Sequence, residues 1–262
     1  MFRAILWATV IHVAISTEDL LPFVKPCKRQ PEPAWTECLL DAIEYSYPHF
    51  MKGNERYGRP PMEPFHIDKL LIEQGTQVFG FTIENTNVTI TGISHARVTS
   101  AKVEFEEETA KYNVAVPELN MVGNYFLSGK ILTLYVNGSG DEVIKMNNVR
   151  ADIAAKFKTY KAQSKRGVEH EYINVTELEM DLDFDSVEMQ FDNLFNGNKL
   201  LENGANRFLS RNWREIFRFL GPAINRALRD TIFSLLNKAY KYMPFDLMFP
   251  HDFDPRNVTA LN

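Results

Sequence analysis

A stretch of about forty residues near the C-terminus carries the apolar pattern of one long helix. From Leu201 to Ala239, apolar side chains recur at spacings of one, three or four residues, which places them on one face of an α-helix. Such a helix is ~60 Å long. Gly221-Pro222 lies inside it, and because the apolar spacing resumes in phase, we expect a kink there rather than an end. A helix of this length needs an apolar partner surface of similar length.

The residues before this helix have the pattern of β-strands. Between Phe65 and Phe191, apolar and polar residues alternate in roughly eight runs, as in antiparallel strands with one buried and one solvated face. We predict turns at 137–141 and at 163–167, where glycine and small polar residues cluster. Asn137-Gly138 in particular has the form of a hairpin turn. Isolated glycines within the runs favour bulges and bends, and therefore a strongly curved sheet.

The simplest arrangement of these elements is an α+β fold in which a strongly curved antiparallel sheet wraps lengthwise around the long, kinked C-terminal helix. A short N-terminal helix is predicted from about residue 36 to residue 52. The chain has 19 Phe, 10 Tyr and 3 Trp, so the wrapped interior is rich in large aromatic side chains. Periodicity alone leaves two interiors open: solid packing, or an elongated hydrophobic cavity.

The first sixteen residues have the form of a secretory signal peptide. Arg3 precedes an apolar run over 4–15, and Ala14-Ile15-Ser16 supplies small residues for cleavage. The run is shorter than the ~20 apolar residues of a membrane anchor. We therefore predict a signal peptide over 1–16, a single domain over 17–250, a flexible tail over 251–262, and a secreted, extracellular protein.

Charge and motifs exclude several functional classes. The formal net charge is −5, without a basic tract, which argues against nucleic-acid binding. The histidines form no H-E-x-x-H pair, and the chain has neither a G-x-S-x-G elbow nor a phosphate-binding glycine loop. We therefore predict a monomer that is not an enzyme, with no metal site, no cofactor and no transmembrane segment.

Two features fit an oxidising compartment. Cys27 and Cys38 are the only cysteines of the chain, and in a secreted protein they are expected to form a disulfide bond with each other. Four N-x-S/T sequons are candidate glycosylation sites. They begin at Asn87, Asn137, Asn174 and Asn257.

Four arginines follow the helical spacing at Arg207, Arg211, Arg214 and Arg218. One interpretation is a surface that binds anionic lipid headgroups. The other is a solvated helix face whose arginines pair with acidic residues of the strands.

Three stretches of the chain resemble the takeout / juvenile hormone-binding protein family of insects. They are residues 194–199, residues 212–215 and residues 244–250, supported by Lys25-Pro26-Cys27 with Cys38 and by Gly123-Asn124-Tyr125. The resemblance implies a tubular lipid-binding fold, with an elongated helix inside a curved antiparallel sheet that encloses a hydrophobic pocket. It also implies secretion and carriage of a lipophilic ligand such as a juvenile hormone, another isoprenoid or a long-chain lipid. Because the chain has cysteines for the N-terminal bridge only, it is similar to the takeout branch.

The predicted ligand site follows from this arrangement. Tyr125 matches a family position whose hydroxyl orients the ligand's polar end. The disulfide-tied arm, with Leu40 and Ile43, is expected to act as a gate. The expected walls are apolar side chains of the strands and of the long helix: Leu132, Leu134, Val136, Met146, Ile153, Met180, Leu182, Trp213, Ile216, Phe217 and Leu220. Which strand face points inward depends on register, since a slip of one residue inverts it.

The function predicted from the sequence is therefore a secreted carrier that binds a small hydrophobic molecule in an internal tunnel. Two alternatives stay open at this stage. One is an extracellular signalling or interaction protein with a solid core and no ligand. The other is a secreted lipid hydrolase with an unrecognised active site.

Overall fold

The structure, a computed structural model, describes residues 23–53, 61–75, 80–131 and 134–250. Its helices are α1 (Ala34–Lys52), α2 (Lys199–Arg211), α3 (Trp213–Tyr240) and the short α4 (Phe245–Met248). Its strands are β1 (Phe65–Gly75), β2 (Gly80–Thr91), β3 (Arg97–Glu104), β4 (Thr109–Ile131), β5 (Leu134–Gln163), β6 (Glu169–Asp183) and β7 (Ser186–Phe191). None of the helices in these ranges is long and apolar enough to cross a bilayer.

Two very long strands form the backbone of the sheet. β4 and β5 pair with each other from Thr109↔Lys156 to Ile131↔Leu134. At one end they are flanked by β3 and β6, and at the other by β2 and β7, with β1 beside β2. Every pairing of this seven-stranded sheet is antiparallel, which confirms the predicted α+β class. The expected eight runs correspond to fewer, longer strands.

The sheet curls around α3. Leu220 and Ala223 of α3 pack in one buried cluster with Ile67 of β1. Further along the same helix, Phe233 packs with Ile173 of β6. Since β1 and β6 are at opposite ends of the strand order, a single helix can contact both only if the sheet is strongly curved. The predicted wrapping is therefore confirmed.

The helix continues through Gly221-Pro222, as predicted, but it is interrupted at Asn212, where no interruption was predicted. α2 ends at Arg211 and α3 begins at Trp213, with Asn212 between them at φ −107° and ψ 24°. The Asn212 amide donates to the carbonyl oxygen of Phe208 at 2.7 Å, a side-chain bond that competes with the backbone ladder. Pro222, by contrast, lies inside α3, which continues to Tyr240. The break comes from an asparagine rather than from the Gly-Pro pair.

One of the two predicted turns is wrong. Residues 137–141 lie inside β5, where Asn137 pairs with Ser128 and Asp141 with Asn124. Gly138 and Gly140 serve a different purpose, because a Cβ on Gly140 would lie 2.5 Å from the Asp192 carbonyl oxygen. These glycines allow the chain after β7 to cross the sheet in close contact. The other predicted turn, at 163–167, does connect β5 to β6, with Gly167 at φ 78°.

Helix side chains complete the hydrogen bonding of two edge strands. The Asn237 amide accepts from the backbone N–H of Val175 in β6 at 2.8 Å and donates to its carbonyl oxygen at 3.0 Å. In α2, Asn206 makes the same pair of bonds to Phe191, and Ser210 makes it to Met189. Edge strands otherwise expose unpaired backbone groups. These contacts therefore fix the helices against the sheet.

We expect Asn237→Ala to lower the free energy of unfolding by about 1–3 kcal/mol, because it leaves two backbone groups of Val175 without partners. Urea denaturation measures the change. Lys238→Ala, which alters an exposed neighbour on the same helix, is the control and should change stability by less than about 0.5 kcal/mol. Equal midpoints for the two variants would contradict the role given to Asn237.

Candidate functional site

The interior of the wrapped sheet contains three buried clusters. The arm cluster joins the N-terminal arm, which is the described chain before α1 (residues 23–33), to α1, β3, β6 and α4. It includes Cys27, Leu39 and Phe245. The edge cluster joins β1, β2, α2 and the first half of α3, and includes Leu127 and Leu209. The middle cluster consists of Val116, Val149, Phe184, Val187 and Trp213. All three contain residues of α3, either buried or packed against the cluster.

Most of the predicted wall residues lie on the inner side. Trp213 is buried in the middle cluster, and Met146, Leu182 and Phe217 pack against it. Ile216 and Leu220 belong to the edge cluster. Met180 is buried and Ile153 is half-buried. Leu132 and the side chains of Leu134 and Val136 lie outside the described part of the chain.

The register of β6 shows why these residues face inward. Along this strand Leu178 and Met180 are buried, whereas the alternating Glu179 and Asp181 are exposed. Met180 pairs with Ile153 of β5, which pairs in turn with Tyr112 of β4. These three residues form one row across the sheet at the level of the second half of α3.

The second half of α3 is covered less completely than the first half. Before Ala223, the helix buries Trp213, Ile216 and Leu220. After Ala223 no residue of α3 is buried, and the apolar side chains of Ile224, Leu228, Ile232, Leu235 and Leu236 remain half-buried. Leu228, Ile232 and Leu235 are not part of the three clusters. We call Leu228, Ile232 and Leu236, which are spaced four apart, the α3 row. This row is partly accessible apolar surface on the face of α3 opposite its exposed residues.

Neither of the two best-defined pockets on the described part of the chain is an apolar tunnel. One, of about 490 Å³, lies between α2 and β7, with Asn206, Arg207 and Ser210 in its lining. The other, of about 290 Å³, lies between the arm and β3 and is lined by residues such as Arg29 and Trp35. Neither lining includes a residue of α3. The elongated cavity therefore stays a prediction, and the α3 row is the apolar surface that it would use.

The N-terminal arm is bonded to α1 and to α4. The Cys27–Cys38 disulfide is present, with a Cα–Cα distance of 5.9 Å. The Cys27 N–H donates to the Met248 carbonyl oxygen of α4 at 2.8 Å. Leu40 and Ile43 of α1 are half-buried and pack against the arm cluster. The arm and α1 thus cover one end of the interior, where the predicted gate would lie.

Tyr125 lies in the edge cluster, at the other end of the interior. Its side chain is buried and its ring makes an edge contact with Phe191. The hydroxyl donates to the Asp192 carbonyl oxygen at 2.6 Å. Its proton therefore already has an acceptor within the protein, and the group holds the chain after β7 against the sheet.

A buried carboxyl group beside Tyr125 was not found from the sequence. Glu142 is 1% exposed, and one of its oxygens accepts from the Asn85 amide at 2.5 Å while the other has no hydrogen-bond partner. Burial raises the pKa of Glu142 to about 7, and the Asn85 hydrogen bond only partly opposes this shift. In the alternating pattern, Glu142 falls on the inner face of β5, a position that no motif marks.

The raised pKa of Glu142 predicts a pH dependence of stability. In the window between about 4.5 and 7 the unfolded chain loses this proton while the folded chain keeps it, so stability falls as pH rises. Glu142→Gln should remove this decrease in stability. Relative to wild type, its free energy of unfolding should therefore increase by about 3 kcal/mol across the window. Chemical denaturation at several pH values measures it, with the exposed Glu118→Gln as control. If the free energies of unfolding of Glu142→Gln and wild type differed by the same amount at every pH from 4.5 to 7.5, the raised pKa of Glu142 would be contradicted.

The histidines form no metal site in the described ranges, which hold no group of three or more His, Cys, Asp or Glu side chains placed around a common point. One of them is nevertheless buried. His170 of β6 is 5% exposed, and its Nδ1 lies 2.9 Å from an Asp246 carboxyl oxygen. This contact joins β6 to α4.

Three of the four sequon asparagines are exposed: Asn87, Asn137 and Asn174. Asn257, like the predicted signal peptide 1–16 and the tail 251–262, lies outside the described residues. The four arginines are also exposed, and within the described ranges none of them forms an ion pair. Arg214 instead donates to the Asp185 carbonyl oxygen and lies over the ring of Trp213. The charge of Arg214 also helps to lower the pKa of the nearby Asp185 carboxyl, after the hydrogen bonds from Arg150 and Asn148.

The described elements thus form a curled antiparallel sheet around one long helix, with a disulfide-tied arm over one end of the interior. The family described as haemolymph juvenile hormone binding protein (JHBP) matches residues 4–250. The chain belongs to this family, which confirms the resemblance drawn from the sequence.

Individual relatives agree with this assignment. The chain is 24% identical over 233 residues to the circadian clock-controlled protein daywake of Drosophila yakuba, and 23% identical over 233 residues to daywake of Drosophila melanogaster. Each alignment covers 86% of this chain and 86% of the relative. The crystal structure of Takeout 1 from Epiphyas postvittana superimposes with a TM-score of 0.73 at 20% identity, covering 87% of this chain and all of that one. This likeness confirms the fold.

Proposed function

We propose that the protein is a secreted carrier that binds a small lipophilic molecule along the second half of α3. The observation that supports this most is the α3 row, an apolar surface that stays partly accessible on the face of α3 opposite its exposed residues. Contiguous apolar surface that remains accessible is a common mark of a ligand-binding site. The family's description as a hormone-binding protein of haemolymph supports the same function.

The proposed ligand is a juvenile hormone, another isoprenoid or a long-chain lipid. Burying ~400 Å² of such a molecule contributes ~10 kcal/mol at ~25 cal/mol per Å². Translational and ordering costs remove several kcal/mol, which leaves affinities from about micromolar to nanomolar. This estimate requires neither a charged group nor a reaction step. Met180 and Ile153, in the same cross-strand row, are the sheet residues that we place opposite the ligand.

The same proposal covers the organisation of the chain. In this proposal, residues 1–16 are a signal peptide and residues 17–250 the ligand-binding domain. The disulfide and the exposed sequon asparagines are compatible with passage through an oxidising secretory compartment. The carrier is a monomer in the extracellular fluid.

Leu228→Asp tests the site directly. A carboxylate on the α3 row should weaken the binding of a fluorescent apolar probe at least tenfold, because the ligand would then bury an unpaired charge. Leu200→Asp, on α2, is the matched control, since Leu200 is 82% exposed, and it should leave the affinity unchanged. Leu228→Asn, which adds polarity without charge, should give an intermediate loss.

Circular dichroism and thermal melts would show that each variant is folded before its affinity is compared. Equal probe affinity of folded Leu228→Asp and Leu200→Asp would contradict a ligand site on α3. If the protein instead hydrolysed a lipid ester, and His170→Ala abolished this hydrolysis, the hydrolase alternative would be favoured.

A second activity is favoured by the exposed arginines. Leu200, Arg207 and Arg211 lie on one face of α2 at spacings of seven and four, and all three are exposed. An apolar side chain beside unpaired arginines fits the surface of an anionic bilayer, where a carrier would collect or release its ligand. We expect vesicles containing phosphatidylserine to bind the protein in low salt and to release it in high salt. Salt-independent binding, or none, would leave the arginines as a solvated face.

A further inference from the structure

Two tyrosines lie on the inner side of the molecule at the end nearest the arm. Tyr112 of β4 shares its strand face with the buried Ala110, while the adjacent Lys111 and Asn113 are exposed. Tyr240 is the last residue of α3. Both side chains are half-buried and pack against the arm cluster.

The hydroxyl groups of these tyrosines differ from those of Tyr47 and Tyr125. Tyr47 donates to the Ile93 carbonyl oxygen at 2.7 Å, and Tyr125 donates to the Asp192 carbonyl oxygen. In the part of the chain that the structure describes, neither Tyr112 nor Tyr240 has a hydrogen-bond partner. Neither hydroxyl is among the fully enclosed side-chain atoms that lack a partner, so each is open to a molecule from outside the protein. Two inward-facing donors are thus available to a group that is not part of the protein.

Their protonation state suits donation. Burial raises the pKa of Tyr112 and also that of Tyr240, and the nearby Tyr240 adds to the shift of Tyr112. Both hydroxyls therefore keep their protons at any physiological pH.

Their position continues the apolar surface. Tyr240 follows Leu236 at the same spacing of four that separates the members of the α3 row, so its ring is the next step on that face. From Leu228 to Tyr240 the helix rises about 18 Å. On the sheet, Tyr112 stands in the cross-strand row with Ile153 and Met180. An extended ligand on the α3 row would therefore have one end beside both hydroxyls.

Resting on the proposed function, we propose that Tyr112 and Tyr240 form a polar subsite that donates hydrogen bonds to an uncharged acceptor oxygen at one end of the ligand. The oxygen would belong to an ester, ketone, aldehyde or epoxide. An ionised carboxylate fits less well, because its transfer into this apolar end requires a cation beside it. The polar end of the ligand thus lies near the arm, and not at Tyr125, whose proton is already donated within the edge cluster.

Two probes that differ only in the acceptor test this subsite. Displacement of the fluorescent apolar probe is measured with a long-chain methyl ester and with the terminal alkene of the same length. In wild type the ester should bind about tenfold more tightly than the alkene, since each hydrogen bond contributes about 0.5–1.5 kcal/mol.

Tyr112→Phe and Tyr240→Phe keep the ring and remove the donor. Each should weaken ester binding about three- to tenfold and leave alkene binding unchanged. Tyr125→Phe is the matched control and should affect both probes equally. The subsite would be overturned if Tyr112→Phe and Tyr240→Phe bound the ester as tightly as wild type. It would also be overturned if Tyr125→Phe lost affinity for the ester alone. Either result would leave the carrier function intact. Failure of wild type to bind either probe would instead overturn the carrier function itself.

Discussion

The attachment of the edge strands to the helices is the contact on which this architecture depends. An antiparallel sheet that curls without closing leaves backbone N–H and C=O groups unpaired along its end strands. Asn237 on α3 and Asn206 and Ser210 on α2 supply both a donor and an acceptor to these groups. Because these side chains are short, they hold helix and strand at hydrogen-bonding distance. The helix is thus fixed by polar contacts at the sheet edge as well as by packing.

This mode of attachment explains how the middle of α3 can remain accessible. If apolar packing alone held the helix, the whole stripe from Trp213 to Tyr240 would have to be buried. Instead the first half is packed into the middle and edge clusters, and the last turns are held by the arm cluster and Asn237. Within the α3 row, Leu236 packs against the arm cluster, whereas Leu228 and Ile232 lie outside all three clusters. These two side chains can therefore contact a ligand without loss of the fold.

The two ends of the interior differ in chemistry. At the edge cluster, polar groups are used internally: Tyr125 binds Asp192, Asn85 binds Glu142, and Gly138 and Gly140 allow the chain after β7 to lie on the sheet. At the arm cluster, Tyr112 and Tyr240 have no such partners in the described ranges. This asymmetry is the basis for the direction that we propose for the bound ligand.

The sequence predicted the class and the wrapping, because the alternation of apolar residues and the length of the helical stripe depend only on local geometry. It did not predict the helix break at Asn212, since the effect of an asparagine depends on whether its amide binds the Phe208 carbonyl oxygen. It also assigned a turn to Gly138, where glycine is required by a segment more than fifty residues later. Tyr112, Tyr240 and Glu142 could not be recognised, because ordinary alternation gives no information on hydrogen-bond partners. Apart from the helix break at Asn212, which depends on a contact four residues away, these features are decided by long-range contacts.

Native mass spectrometry of the protein secreted from insect cells tests the central claim most directly, since no ligand has to be chosen in advance. The account predicts a population whose mass exceeds that of the glycosylated chain by one lipophilic molecule, extractable with organic solvent and absent from Leu228→Asp. Protein that is secreted without any guest and also rejects apolar probes would contradict the claim and favour an extracellular interaction protein with a solid core.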